Sequence, residues 1–188
     1  MGVVQKDIEA AVLALQNGQT ILYPTDTIWG IGCDATNEAA VDKIFAIKHR
    51  PKEKSLIVLV DSLEMLKRYV DIDEDTATLL DSVELPTTVI YSCPRNMAPN
   101  AVNGDDTIAI RIVHHPFCQA MIKAFGKPVI STSANISGQP APAAFSDIAP
   151  EIMLAVDLVI DERYDTSVYK YPSKLIKILD DNSIQYLR

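Results

Sequence analysis

Apolar positions 8, 11, 12 and 15 recur with a helical period across residues 7–16, and Asn17-Gly18 supplies a C-terminal stop. Residues 20–23 (Thr-Ile-Leu-Tyr) predict a short strand closed by Pro24. A loop follows over 25–32, mixing hydroxyl and apolar side chains with two glycines. Thr36 or Asn37 can cap a helix over 38–47, whose apolar residues fall at 41, 44, 45 and 47. The unbroken apolar run over 56–60 predicts a strand covered on both faces. Residues 62–70 and 73–80 read as helices, and 87–91 and 107–112 as strands. Residues 116–125 predict a helix with Pro116 in its first turn and Gly126 just past its end. Val129-Ile130 is a short strand running into a polar stretch over 131–138. Strands over 156–160, 174–179 and 184–187 close the chain. Strands and helices alternate without a regular β-α-β rhythm, so the pattern predicts one α/β domain with a mixed sheet over residues 1–188.

Composition narrows this picture. The chain has 188 residues, 48% of them hydrophobic, which suits a single domain with a substantial core. Its 17 Lys and Arg against 25 Asp and Glu give a net charge of −8. A protein that coats nucleic acid through its surface field should be basic, so that class is disfavoured. No apolar run approaches a membrane span, and the N-terminus lacks the basic and apolar regions of a signal peptide. Three cysteines, none spaced Cys-x-x-Cys, predict buried reduced thiols rather than disulfides or zinc ligands. A cytoplasmic, membrane-free protein is expected.

Several motifs are weaker than they look. Gly30-Ile31-Gly32-Cys33-Asp34-Ala35 matches Gly-x-Gly-x-x-Ala, yet the glycines do not open a helix directly as a dinucleotide site requires. No phosphate-binding P-loop or nucleophile elbow occurs. His114-His115 lack ligand-spaced partners and fit exposed or capping imidazoles near a turn, so no metal site is assigned.

Two stretches carry chemistry. Residues 43–54 hold five cations (Lys43, Lys48, Arg50, Lys52, Lys54) against one acid, Glu53. Pro51 disfavours helical geometry at Arg50, so the helix should end near Lys48 and leave in extended form. Lys48 and Arg50 would then point the same way and could converge on a phosphate; a solvated basic loop is the competing reading. Residues 131–138 (Ser-Thr-Ser-Ala-Asn-Ile-Ser-Gly) place hydroxyls and an amide directly after a strand, where α/β sheets bind ligands. Taken alone, that stretch also fits an ordinary turn bonding its own backbone.

In order, residues 23–32 (Tyr-Pro-Thr-Asp-Thr-Ile-Trp-Gly-Ile-Gly), Lys48-His49-Arg50-Pro51, Ala109-Ile110-Arg111 and residues 131–138 closely resemble the YrdC-like family. Its signature, Lys-x-Arg followed later by Ser-x-Asn, is matched by Lys48/Arg50 and Ser133/Asn135. The resemblance implies a twisted mixed β-sheet flanked by helices around a positively charged cavity. It implies threonylcarbamoyl-AMP synthesis from L-threonine, bicarbonate or CO2, and ATP with Mg2+, releasing pyrophosphate. A partner transferase complex then modifies adenosine 37 of tRNA. By the same resemblance Lys48 and Arg50 are catalytic and hold the triphosphate. Thr107, Ser133, Asn135 and Arg188 contact the nucleotide, and Thr25, Arg111, Ser131 and Ser173 form the threonine pocket. The sequence departs from the family pattern at Asp26 (commonly Glu), Trp29 (commonly Tyr), Ala141 and Ala143 (Ser and Thr), and Lys174 (Thr). A carbamoyl-adenylate-forming enzyme and an RNA-binding or ribosome-maturation module, with direct tRNA or RNA contact, are the alternatives.

Overall fold

The structure is a computed structural model that describes residues 2–179 and 183–188. Among these residues nine strands form one sheet, in the order β7-β1-β2-β6-β3-β5-β4-β8-β9. In chain order they are β1 (Ile21–Tyr23), β2 (Gly30–Gly32), β3 (Ile57–Val60), β4 (Thr87–Ser92), β5 (Thr107–Ile112), β6 (Val129–Ser133), β7 (Leu158–Val159), β8 (Lys174–Ile178) and β9 (Ile184–Tyr186). Pairing is mixed. β1–β7, β3–β5 and β4–β8 run parallel, and the remaining neighbours run antiparallel. The helices are α1 (Val3–Gln16), α2 (Glu38–Ile47), α3 (Leu63–Lys67), α4 (Glu74–Ser82), α5 (Pro116–Phe125) and α6 (Pro150–Ala155). No helix among the described residues is long and apolar enough to cross a membrane.

Local signals set the best-anticipated elements. The Asn37 side chain accepts the Ala40 N–H and starts α2, and Asp73 caps α4 in the same way. Pro116 opens α5 and Gly126, in the left-handed region at φ 77°, ends it. β3 lies between β5 and β6, and its Val58, Leu59 and Val60 are wholly buried.

Elsewhere neighbours in space decide. The segment 30–32, expected to be loop, is strand because it pairs with β1 on one side and β6 on the other. Gly32 is required there, since a Cβ would lie 2.2 Å from the Ile130 carbonyl and 2.8 Å from the Tyr23 ring. A strand also rules out a dinucleotide turn at these glycines. The strand expected at Val129-Ile130 continues to Ser133, because Ser131 pairs with Ile57 and Thr132 with Ile31. Helix α3 is shorter than the predicted 62–70, with Tyr69 and Val70 N–H groups both bonding the Leu66 carbonyl in a tight closing turn.

Cys33 and Cys118 are buried as expected, and burial pushes both thiols well above the ordinary range. Cys93 is exposed, contrary to the expectation of three buried thiols; it sits at φ 51° in the turn after β4. His114 is exposed. His115 is buried, caps α5 by accepting the Cys118 N–H, and bonds the Tyr164 carbonyl through Nε2.

Candidate active site

Strand alternation brings distant residues onto one face. Register pairs Gly30 with Ser133, Ile57 with Ser131 and with Ala109, and Leu59 with Arg111. Side chains two apart on a strand share a face, so Ser131, Ser133 and Arg111 look out on the same side of the sheet. Gly30 sits opposite and leaves room, because a Cβ there would lie 2.9 Å from Ser131 Oγ. These positions open on a cleft whose wall also includes Thr25, Trp29, Arg50, Ser173 and Arg188. Among the described residues three guanidinium groups and no carboxylate side chain line it.

Lys48 stands behind this wall. It is 1% exposed at the C-cap of α2, and its Nζ donates to the carbonyls of Ser133 and of Asn135, the latter at 2.6 Å. The backbone differs here from the extended exit expected before Pro51. His49 takes φ 47°, in the left-handed region, so the chain doubles back and the Arg50 N–H bonds the Phe45 carbonyl. Lys48 and Arg50 still come close enough to interact. Burial first, and then the Arg50 charge, lower the Lys48 pKa to about 7. Burial also lowers that of Arg50, whose Nη2 donates to Ser55 O at 2.7 Å while Nε is buried without a partner.

The basic run does not act as one patch. Lys43 caps the Gly18 carbonyl at 2.8 Å and Lys52 pairs with Asp42. Its place in the cleft is taken by cations from far along the chain. Arg111 comes from β5, and Arg188, beside β8, donates from Nε to Ser173 O at 3.3 Å. Burial, followed by the Arg111 charge, lowers the Arg188 pKa.

Of the residues singled out from sequence, Thr25, Arg50, Arg111, Ser131, Ser133, Ser173 and Arg188 line the cleft. Lys48 adjoins it. Asn135 lies outside the lining; its Nδ2 bonds the carbonyls of Ile136 and Gln139, and its Oδ1 receives Lys48 at 3.4 Å. Within 131–138, residues 131–133 thus line the cleft, while Asn135 bonds the backbone of its own loop. Thr107 also lies outside the lining, with its hydroxyl donated to Asp105 and accepting from Asn103. It shares the site face of β5 with Arg111, four residues or about 13 Å away along the strand.

Sequence reasoning missed other parts. Trp29 was seen only as a departure from a motif. It is 2% exposed, and its Nε1 donates to Asp165 at 3.0 Å. Ser167 donates to Thr27 O at 2.6 Å, so the segment leading to Ser173 is tied down beside the cleft. Only the hydroxyl-rich composition of 165–173 hinted at this. Among the described residues no group of three or more His, Cys, Asp or Glu could hold a metal ion.

The model of the Sua5/YciO/YrdC family, described as telomere recombination, matches residues 13–188. The chain belongs to this family. A threonylcarbamoyl-AMP synthase of Vibrio campbellii is 38% identical over 187 residues, covering 97% of this chain and 98% of the relative. One from Xanthomonas euvesicatoria is 37% identical over 187 residues, with 97% of each covered. Among solved structures, Sua5 of P. abyssi complexed with L-threonine superposes with a TM-score of 0.85 at 28% identity. The match takes in 98% of this chain and 54% of that one. YciO of E. coli gives a TM-score of 0.81 at 25% identity, covering 98% of this chain and 89% of that one. The Sua5/YciO/YrdC fold is thus the twisted mixed sheet with flanking helices described above.

Proposed function

We propose that this protein is a threonylcarbamoyl-AMP synthase, a nucleotidyltransferase that serves tRNA modification. The observation that carries the reading is the cleft itself: Arg50, Arg111 and Arg188 meet the hydroxyls of Thr25, Ser131, Ser133 and Ser173, with no carboxylate side chain among the described residues of the lining. Near-full-length similarity to named synthases agrees with it.

The threonine amine condenses with bicarbonate, losing water, to give a carbamate. A carbamate oxygen then attacks the α-phosphorus of ATP, the bond to the β-phosphate oxygen breaks, and pyrophosphate leaves. Alignment and charge neutralisation carry such a displacement, with little covalent help from the protein. Lys48 and Arg50 hold the triphosphate, Arg as a planar fork and Lys as a point charge. Ser133, Asn135, Thr107 and Arg188 take the rest of the nucleotide, Thr107 lying far enough along β5 to meet an extended ligand. Thr25, Ser131 and Ser173 offer hydroxyls to threonine, and Arg111 meets its carboxylate. Mg2+ enters as part of the MgATP substrate. The triphosphate and water would supply most of its ligands, since no carboxylate side chain is found among the described residues of the lining. A threonylcarbamoyl transferase complex in the cytoplasm takes the product on to tRNA.

The test is pyrophosphate release by the purified protein with MgATP, L-threonine and bicarbonate, with mass spectrometry of the nucleotide product. Threonylcarbamoyl-AMP is expected, with each substrate required. Release that ignores threonine would point to a carbamoyl-adenylate former. Salt-sensitive RNA binding without any adenylate would point to a binding module.

A further inference from the structure

Asp26 has no part in the scheme above, yet it stands directly behind the cleft. It lies in the turn between β1 and β2, 8% exposed, and its two oxygens have separate partners. Oδ1 accepts from Arg111 Nη1, and Oδ2 accepts the backbone N–H of His114 at 3.0 Å. His114 follows β5, the strand that carries Arg111. The carboxylate is therefore anchored to the exit of the same strand whose side chain it holds. Thr27, the next residue, receives Arg111 Nη2 through its hydroxyl at 3.4 Å. Arg111 is itself only 4% exposed, and its Nε is buried with no partner. A guanidinium is a rigid planar fork, so Nε cannot turn to another acceptor without breaking the bond from Nη1 to Asp26. One charged donor is left unsatisfied in the interior, so the plane of the guanidinium is held by Asp26 and Thr27 alone and not by a full set of acceptors.

We propose that Asp26 is the positioning residue for the amino-acid substrate. It fixes the plane of the Arg111 guanidinium in the cleft wall, so that the part of the fork facing the cleft is held ready for the threonine carboxylate. It also offsets the Arg111 charge, so that this end of the cleft accepts a zwitterion instead of a second phosphate. The inference rests on the reading that Arg111 binds threonine. A purely structural ion pair would hold the turn and leave substrate selection alone.

Steady-state pyrophosphate release, with threonine and MgATP varied in turn, tests it on the full chain. Asp26→Asn keeps the shape and removes the charge. The threonine KM is expected to rise at least tenfold while the MgATP KM stays within twofold. Inorganic phosphate is expected to become a competitive inhibitor against threonine in this variant, at concentrations without effect on the unsubstituted protein. Equal changes in both KM values, or no phosphate effect, would overturn the proposal. Arg111→Gln tests the reading beneath it. If Arg111→Gln raises the threonine KM and Asp26→Asn does not, the reading stands and Asp26 loses its role. If Arg111→Gln leaves the threonine KM unchanged, both fall. Should Asp26→Asn not fold, Asp26→Asn/Arg111→Gln removes the stranded charge. Its threonine KM should match that of Arg111→Gln alone, since Asp26 acts only through Arg111. A much higher value in the double variant would give Asp26 another function and refute the positioning role.

Discussion

If the protein binds nucleotide as proposed, Lys48 should couple that binding to proton uptake. In the free protein burial and the Arg50 charge hold its pKa at about 7, against 10.5 for an ordinary lysine. A polyphosphate beside it favours the ammonium again, so the pKa rises on binding. Above pH 7 the free protein has largely lost this proton and the complex has kept it. MgATP binding should then take up about 0.9 of a proton at pH 8 and about 0.1 at pH 6, from the two titration curves. Affinity should fall about tenfold between pH 8 and pH 9, or about 1.4 kcal/mol for the unit. The same shift has a sign for stability. Between about 7 and 10.5 the unfolded lysine is charged and the folded one neutral, so its contribution to folding stability grows as pH rises through that window. Titration calorimetry of MgATP at pH 8, in buffers of different ionisation enthalpy, reads the uptake directly. Lys48→Met should abolish it. A binding enthalpy independent of buffer, or an uptake that survives Lys48→Met, would refute the coupling.

Three further substitutions test how the cations and the glycines are used. Arg50→Ala should raise the MgATP KM at least tenfold, since a bond to a charged group contributes about 1.5–3 kcal/mol, whereas Lys52→Ala should leave it within twofold because Lys52 only pairs with Asp42 at the surface. Gly32→Ala drives a methyl into the Ile130 carbonyl and the Tyr23 ring, so thermal unfolding should report a loss of about 3 kcal/mol or more, or no folded protein at all.

The elements that could be read from sequence are those whose causes are local. Helix α2 begins where Asn37 can cap it, and α5 lies between Pro116 and Gly126, so their bounds need no knowledge of the fold. β2 has no local cause. Glycine weakens an isolated strand, and Gly30-Ile31-Gly32 becomes one only because two neighbours pair with it and leave no space for side chains. Ser131 to Ser133 likewise carry hydroxyls typical of a turn, and strand pairing overrides that preference. The site divides in the same way. Lys48 and Arg50 stand out as a charged run, and their closeness is readable from it although the turn at His49 that produces it is not. Arg111 and Arg188 carry no local mark of their meeting. Residues 77 apart reach one cleft, Arg111 from β5 and Arg188 from just past β9 where the backbone bonds β8, and only the family resemblance named them in advance.

The partners chosen for these cations account for what an acidic chain gains by building such a cleft. Among the described residues Lys48, Arg50 and Arg188 bond to carbonyl oxygens, which satisfy N–H groups without cancelling charge. Arg50 and Arg188 therefore stay charged against a desolvation cost, and Lys48 meets the same cost by titrating near 7, so all three pKa values are lowered. Under the proposed function polyphosphate binding would relieve that cost, and the relief would add to nucleotide affinity. Arg111 is treated differently. Its partner is a carboxylate, which removes most of its net field and leaves its orientation. A zwitterion requires orientation more than field, while a triphosphate requires both. The division between neutral and anionic partners can thus separate the two substrates within one cleft, and the net charge of −8 keeps other polyanions away from the remaining surface.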